Sequence, residues 1–228
     1  MAHLAHYREA HPLPFVITHW VNLVSMVLLI LTGFYIHFPF ISGFMGVARG
    51  VHMLCAAIFV INMIFRVVAA FIIKSSPTGG TRKVDYDYKT FLPQKDNRHQ
   101  LIPWIKYYLF LKKDHPLSGK YGVLQKIFYV LVPVMILIIA FTGMCLWSPT
   151  SDVGPFGAFN ALVGSIMVTR IIHFFLMFAF IIFMIIHIYL ANIEGFAPTK
   201  MMFLWKEHGG LVYDPELHNI VGEDDLEH

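Results

Sequence analysis

The chain has 228 residues, of which 57% are hydrophobic and 14% are charged. A soluble domain carries about 25% charged residues, so this composition excludes an ordinary soluble protein and indicates a protein embedded in the lipid bilayer. The net charge of +3 is too small to indicate nucleic acid as a partner, and two cysteines are too few for a disulfide framework.

Four apolar segments follow one another along the chain, each near the roughly 20 residues that a helix needs to cross a bilayer. The predicted spans cover residues 15–37, 50–73, 124–147 and 169–193. We therefore predict an all-α integral membrane protein, a four-helix bundle over residues 15–193. A polar arm, residues 1–14, precedes the bundle, and an acidic tail, residues 194–228, follows it as a solvated or docking segment. Pro133 is expected to loosen or kink the third span.

The connections between the spans differ sharply in charge. The loop of residues 74–120 holds ten Lys and Arg residues, whereas residues 38–48 and 148–169 hold none. Because basic loops are retained in the cytoplasm, this asymmetry places the loop and both termini on the cytoplasmic side. Within the loop, residues 101–111 are expected to form an interfacial helix with Trp104, Tyr107 and Tyr108 at headgroup depth.

Four histidines lie within or at the ends of the spans, and their depths pair them. His173 and His187 are 14 residues apart, which on a helix is nearly four turns and about 21 Å. His19 lies near the cytoplasmic end of the first span, and His52 opens the second span at the outer side. The predicted pairs are therefore His52 with His173 and His19 with His187. Two bis-histidine pairs at separate depths are typical of two b-type haems, whereas zinc requires its ligands clustered at one depth.

Two glycines are candidates for close approach to a haem. Each follows a threonine, at Thr32-Gly33 and at Thr142-Gly143, and Gly33 lies 14 residues after His19. A glycine lacks the Cβ that would hold a flat cofactor away from the helix. Ordinary helix packing is an equally good explanation for either glycine.

Three arginines are candidates for binding haem propionates. Arg66 follows His52 by 14 residues, and Arg49 and Arg170 each lie three residues before a predicted ligand. Snorkelling to the membrane surface explains Arg49 and Arg170 nearly as well.

The two halves of the chain form a weak internal repeat. A Thr-Gly pair is followed by Arg49-x-x-His52 in the first half and by Arg170-x-x-His173 in the second. Tyr129 stands in the second half where His19 stands in the first. This substitution leaves four histidine ligands, the number that two haems require.

Several short motifs resemble those of a known family. They are T-H-W-V-N-L at 18–23, L-T-G-F-Y-I at 31–36, G-V-A-R-G-V-H-M at 46–53, R-I-I-H at 170–173 and H-I-Y-L-A at 187–191. Together they resemble the b-type cytochrome subunit of membrane-bound nickel–iron hydrogenases. The same superfamily includes the gamma subunit of formate dehydrogenase and the cytochrome b of thiosulfate reductase.

The resemblance implies a dihaem membrane anchor in the bacterial or archaeal cytoplasmic membrane. Its axial ligands would be His19, His52, His173 and His187. Iron–sulfur and catalytic subunits would dock on the outer face, and menaquinone or ubiquinone would react near the inner haem. The formate dehydrogenase branch carries G-x-Y-N-x-G-Q-K before its third span, whereas residues 119–126 have Gly122 in place of the Asn and Leu124 in place of the second Gly. Tyr121, Gln125 and Lys126 remain the candidates for contacting quinone.

The leading hypothesis is an electron-transfer subunit that performs no bond-making on the primary substrate. A subunit of a formate dehydrogenase or thiosulfate reductase complex, or a dihaem quinol-linked cytochrome without partners, remains an alternative. A metalloprotease is disfavoured because the sequence has no H-E-x-x-H motif, and an ion transporter because no span contains Asp or Glu.

Overall fold

The computed structural model describes residues 5–92, 99–113, 116, 120–192, 196–214 and 219–221. The helices are α1 (Leu13–His37), α2 (Met45–Ile72), α3 (Leu101–Tyr108), α4 (Val123–Leu146), α5 (Gly154–Leu162), α6 (Ile166–Asn192) and α7 (Ala197–Leu204). The strands are β1 (Lys74–Ser75), β2 (Asp85–Tyr86), β3 (Val212–Asp214) and β4 (Asn219–Val221). β1 pairs with β2 and β3 pairs with β4, both antiparallel.

Four helices, α1, α2, α4 and α6, are long and apolar enough to cross a membrane. They confirm the four predicted spans as helices. α2 begins at Met45 and α6 at Ile166, a few residues ahead of the predicted starts at 50 and 169. α4 is continuous across Pro133. The protein is thus a multi-pass, mainly helical membrane protein.

The chain forms two compact units, and the long helices contribute to both. The helix unit comprises Thr18–Phe65 and Val132–Ile186, and the loop unit comprises Met1–Ile17, Arg66–Leu131 and His187–His228.

The helix unit has a small apolar core and a large apolar surface. Its core side chains are 2–7% exposed and come from three of the long helices: Phe59, Met63, Ile136 and Phe180. Many other apolar side chains face outward, such as Leu31 at 61% and Ile61 at 66% exposure. Such a surface is unfavourable in water but suits contact with lipid acyl chains.

A buried asparagine ties together the connection between α4 and α6. Asn160, on α5, donates from Nδ2 to the carbonyl oxygens of Cys145 at 2.9 Å and Ser151 at 3.0 Å. Its Oδ1 accepts a hydrogen bond of 2.6 Å from the hydroxyl of Thr169 on α6. One side chain therefore satisfies polar groups of α4, of the loop that follows α4, and of α6.

In the loop unit, the N-terminal arm pairs with the tail. The amide of Ala5 donates to Leu211 O at 2.7 Å, and His6 and His208 form an antiparallel bridge. Arg82, from the middle loop, forms ion pairs with Glu9 of the arm and Glu207 of the tail. The described parts of the arm and tail are therefore packed against each other. The sequence does not predict this packing, because the paired residues are far apart in the chain and leave no local pattern.

The helix predicted within residues 101–111 is present as α3, but its aromatic face is buried. Trp104 is 2% and Tyr108 is 8% exposed, and both pack with Leu190 of α6. Trp104 and Tyr108 therefore pack against protein, and the interfacial position of the helix stays a prediction.

We predict that Asn160→Ala lowers the free energy of unfolding by about 2–4 kcal/mol, because it leaves buried polar groups without partners. The measurement is thermal unfolding in detergent. Leu162→Ala, on the same helix at a side chain 82% exposed, is the matched control and should have little effect. Equal destabilisation by the two variants would contradict the role assigned to Asn160.

Candidate haem-binding site

The helix unit brings together two of the predicted ligands, His52 of α2 and His173 of α6. Their ring centres are 6.3 Å apart and the ring planes are inclined at 66°. Two imidazoles that bind one metal ion from opposite sides, at about 2.0 Å for each metal–nitrogen bond and about 1.1 Å from nitrogen to ring centre, have centres about 6 Å apart. The observed separation therefore fits one iron ion between the rings.

Each of these histidines is hydrogen-bonded to a threonine of the preceding span. Thr32 Oγ1 lies 2.9 Å from His52 Nδ1, and Thr142 Oγ1 lies 2.9 Å from His173 Nδ1. Both hydroxyls also bond backbone carbonyls of their own helices, Thr32 to Leu28 O at 2.6 Å and Thr142 to Ile139 O at 3.0 Å.

These bonds assign the histidine tautomer. A hydroxyl has one proton, and here the carbonyl accepts it, so the threonine oxygen must accept the Nδ1–H of the ring. Nε2 of each ring is then left with its lone pair for a metal. The chemistry of the donor pair therefore fits bis-imidazole ligation of haem iron.

The two predicted glycines lie against the same rings. A Cβ built on Gly33 would lie 3.6 Å from His52 Cε1, and one built on Gly143 would lie 3.4 Å from His173 Cε1. Each Thr-Gly pair thus performs two tasks, because its threonine holds Nδ1 and its glycine lets the imidazole lie close to the helix.

The two histidines of the other predicted pair fall in different units. His19 belongs to α1 in the helix unit, where its ring meets that of Trp20 edge-on at 5.9 Å. His187 belongs to α6 in the loop unit and is exposed. The pairing of His19 with His187 stays a prediction.

Arg66 has a protein partner where the sequence analysis expected a propionate. Its guanidinium is 2.9 Å from Asp87 Oδ2 and lies over the ring of Phe15 at 3.9 Å. The Asp87 carboxylate supplies the negative charge that a buried arginine requires. Arg49 and Arg170 are exposed, so both propionate binding and snorkelling stay open for them.

The three quinone candidates lie at or near the start of α4 and make contacts within the loop unit. Tyr121 accepts a hydrogen bond of 2.9 Å from the hydroxyl of Tyr129. Gln125 Oε1 accepts from the amide of Gly122 at 2.8 Å, and Lys126 Nζ donates to Leu92 O at 3.1 Å. These contacts fasten the beginning of α4, and the assignment of the three residues to quinone stays a prediction.

The structure accounts for Gly122, which stands where the formate dehydrogenase motif has an asparagine. A Cβ at this position would lie 3.4 Å from the ring of Trp104, so the glycine admits the buried indole. An asparagine there would press on α3.

Sequence reasoning missed the hydroxyls of Thr32 and Thr142 and the carboxylate of Asp87. The repeated Thr-Gly pair was a usable signal for the threonines. The signal for Asp87 was weaker, because it is one of four acids in a loop with ten basic residues.

We predict that Thr32→Val and Thr142→Val each weaken haem retention by about 10- to 100-fold, as for other partners that orient a metal ligand. Loss of an acceptor at Nδ1–H also makes the imidazole a poorer donor, which should raise the midpoint potential of the haem. Serine at either position should restore both properties because it keeps the hydroxyl. Redox titration monitored by absorbance measures the effect, and Thr150→Val is the control since that hydroxyl bonds the Met144 carbonyl. An unchanged potential and haem content in both valine variants would contradict the assigned tautomer.

Comparison with known protein families agrees with this geometry. The family model described as prokaryotic cytochrome b561 matches residues 10–204. No individually curated protein matches the chain. The matched region contains all four membrane-spanning helices and all four candidate histidines, and it confirms the resemblance seen in the sequence. The chain therefore belongs to the prokaryotic cytochrome b561 family, whose members are membrane cytochromes that bind haem b.

Proposed function

We propose that the protein is the membrane-anchoring dihaem cytochrome b subunit of a respiratory oxidoreductase. It carries electrons between an iron–sulfur or catalytic subunit on the outer side of the membrane and the quinone pool on the cytoplasmic side. The observation that carries this proposal is the pair of imidazoles of His52 and His173, 6.3 Å apart, with both Nδ1 atoms bonded to threonine hydroxyls.

This donor set favours electron transfer over catalysis at the iron. A haem held by His52 and His173 would have no open position for a substrate, so the bound group would supply one-electron redox chemistry only. The residues of the chain orient the ligands and exclude water. The apolar surface of the helix unit suits the exclusion of water.

The internal repeat supports a count of two haems. Under the repeat, Arg66 stands where His187 stands, since each follows a histidine by 14 residues, and Tyr129 stands where His19 stands. Arg66 is bound to Asp87, and Tyr129 is bonded to Tyr121. The two positions at which the repeat lacks a histidine are thus engaged in polar contacts within the protein.

The charge distribution supports the orientation and the partners. The connections of residues 38–44 and 147–165 contain no Lys or Arg, and they expose large apolar side chains such as Phe40 at 80% and Leu162 at 82%. An apolar end without basic residues suits the docking of a partner subunit, for which a nickel–iron hydrogenase is our first candidate. Formate dehydrogenase, thiosulfate reductase or no partner at all are the alternatives, and the subunits that co-purify distinguish them.

We predict two b haems for each chain, both six-coordinate and low-spin. The pyridine haemochrome assay counts them, and redox titration separates them. His52→Ala and His173→Ala should lose the same component, and His19→Ala and His187→Ala should lose the other. His37→Ala is the control, because its ring stacks on Phe174 at 3.9 Å, and should keep both haems. One haem for each chain, or different components lost on His52→Ala and His173→Ala, would overturn the proposed ligation.

A redox-inert quinone analogue such as a hydroxyquinoline N-oxide should perturb one haem only. We expect it to shift the spectrum of the component lost on His187→Ala, because the basic loop and the start of α4 belong to the same unit as His187. Gln125→Ala and Lys126→Ala should weaken this response while both haems remain, whereas Gln100→Ala should not. A shift confined to the component lost on His52→Ala would place the quinone site on the opposite side of the membrane.

A further inference from the structure

The loop unit contains a buried charge cluster, formed by Arg66, Asp87, Lys120 and Ser75, that electron transfer alone does not require. Asp87 is 0% exposed, and its Oδ2 accepts from Arg66 at 2.9 Å while its Oδ1 accepts from Lys120 at 3.2 Å. The side chain of Lys120 is 2% exposed and also donates to Ser75 Oγ at 2.9 Å. The hydroxyl of Ser75 donates to Asp87 Oδ1.

The cluster carries one more positive charge than negative charge when Lys120 is protonated. Among the residues that the structure describes, Arg66 and Lys120 pair with a single carboxylate, that of Asp87, so the two cations share one counter-charge. Arginine does not release its proton in proteins, whereas a buried lysine does so readily. Lys120 is therefore the member of the cluster whose charge can change.

The other groups around Lys120 hold their charge states. Tyr121, whose ring lies 5.1 Å from Lys120 Nζ, has a pKa raised well above its usual value by burial and stays neutral. Burial and the nearby charge of Lys120 lower the pKa of His6 to about 4, so this imidazole is neutral at physiological pH. Burial, opposed by Asp87 and reinforced by Arg66, lowers the pKa of Lys120 to about 8.

The hydrogen bonds of the cluster accommodate Lys120 in either state. A neutral amine keeps two N–H donors, which is enough for the bonds to Ser75 and Asp87. Since the serine proton goes to Asp87, the serine oxygen remains an acceptor for Lys120 in both states. Proton gain or loss thus breaks none of these bonds.

We propose that Lys120 is a redox-linked proton acceptor. Its amine forms one N–H bond with a proton from the aqueous side when one electron reaches the haem held by His187, and it releases that proton when the electron leaves. The proposal rests on the proposed function, in which His187 is a ligand, and Lys120 and His187 belong to the same compact unit. An added electron favours a nearby positive charge, which is the physical basis of the coupling.

The test is redox titration, between about pH 6 and about pH 10, of the haem component that is lost on His187→Ala. Below the pKa of about 8, Lys120 is protonated in both redox states, so the ratio of reduced to oxidised haem at a fixed applied potential should be constant. Above it, reduction must bring in a proton, so the ratio should fall as the pH rises, by about three- to tenfold in total.

Three variants separate proton uptake from a structural role. We call this fall in the reduced-to-oxidised ratio with rising pH the step. Lys120→Met should remove the step and keep the low, high-pH ratio at every pH, because methionine carries no charge. Lys120→Arg should also remove the step but keep the higher ratio, because arginine stays charged. Lys112→Met changes an exposed lysine of the same loop and should leave the step unchanged.

A step that persists in Lys120→Met, or a wild-type ratio that does not vary with pH, would overturn the proposal. If Lys120→Arg does not fold, Asp87→Asn provides the second test. It removes the carboxylate that favours the ammonium, so the step should move to lower pH, and an unmoved step would also overturn the proposal. Failure of the proposed function would appear differently, as two haem components that both survive His187→Ala.

Discussion

The structure depends on one constraint, which is that lipid offers no hydrogen-bond partner to a polar group inside a membrane-spanning helix. Asn62 of α2 shows the consequence, since its Nδ2 donates to Thr18 O and to Asn22 Oδ1 of α1, both at 2.7 Å. The threonine–histidine bonds follow the same requirement, and there the polar atom that remains, Nε2, is the one available to bind a metal. The same threonine–histidine bonds therefore satisfy the polar groups inside the helices and orient the two candidate ligands.

The internal repeat explains why this arrangement occurs twice. A threonine on one span holds a histidine at the start of the next span in each half of the chain, with the same 2.9 Å contact. His52 comes from the first half and His173 from the second, so the two halves contribute equally to one site. Equivalent contributions from two related halves would suit a haem iron held by two identical groups.

The two halves of the repeat differ at their other ends. One half holds His187, a candidate ligand, at the position where the other half holds Arg66, and Arg66 is paired with Asp87 from residues 74–120. The strands β1 and β2 and the turn that follows them bring Asp87 to the end of α2, where its amide donates to Ile73 O at 3.1 Å. Asp87 also pairs with Lys120, so Arg66 lies in a cluster of ionisable groups.

The sequence by itself determined the four spans, the spacing of the histidines and the pairing of Thr with Gly, because hydropathy and helical periodicity are local properties that survive in a linear pattern. Only the tertiary structure decided which atom meets which. It assigned Thr32 and Thr142 to the Nδ1 atoms, paired Arg66 with the carboxylate of Asp87, and paired the arm with the tail through Ala5 and Leu211. The physical reason is that the partner of a polar side chain depends on which distant segment approaches it, and no local pattern records that approach.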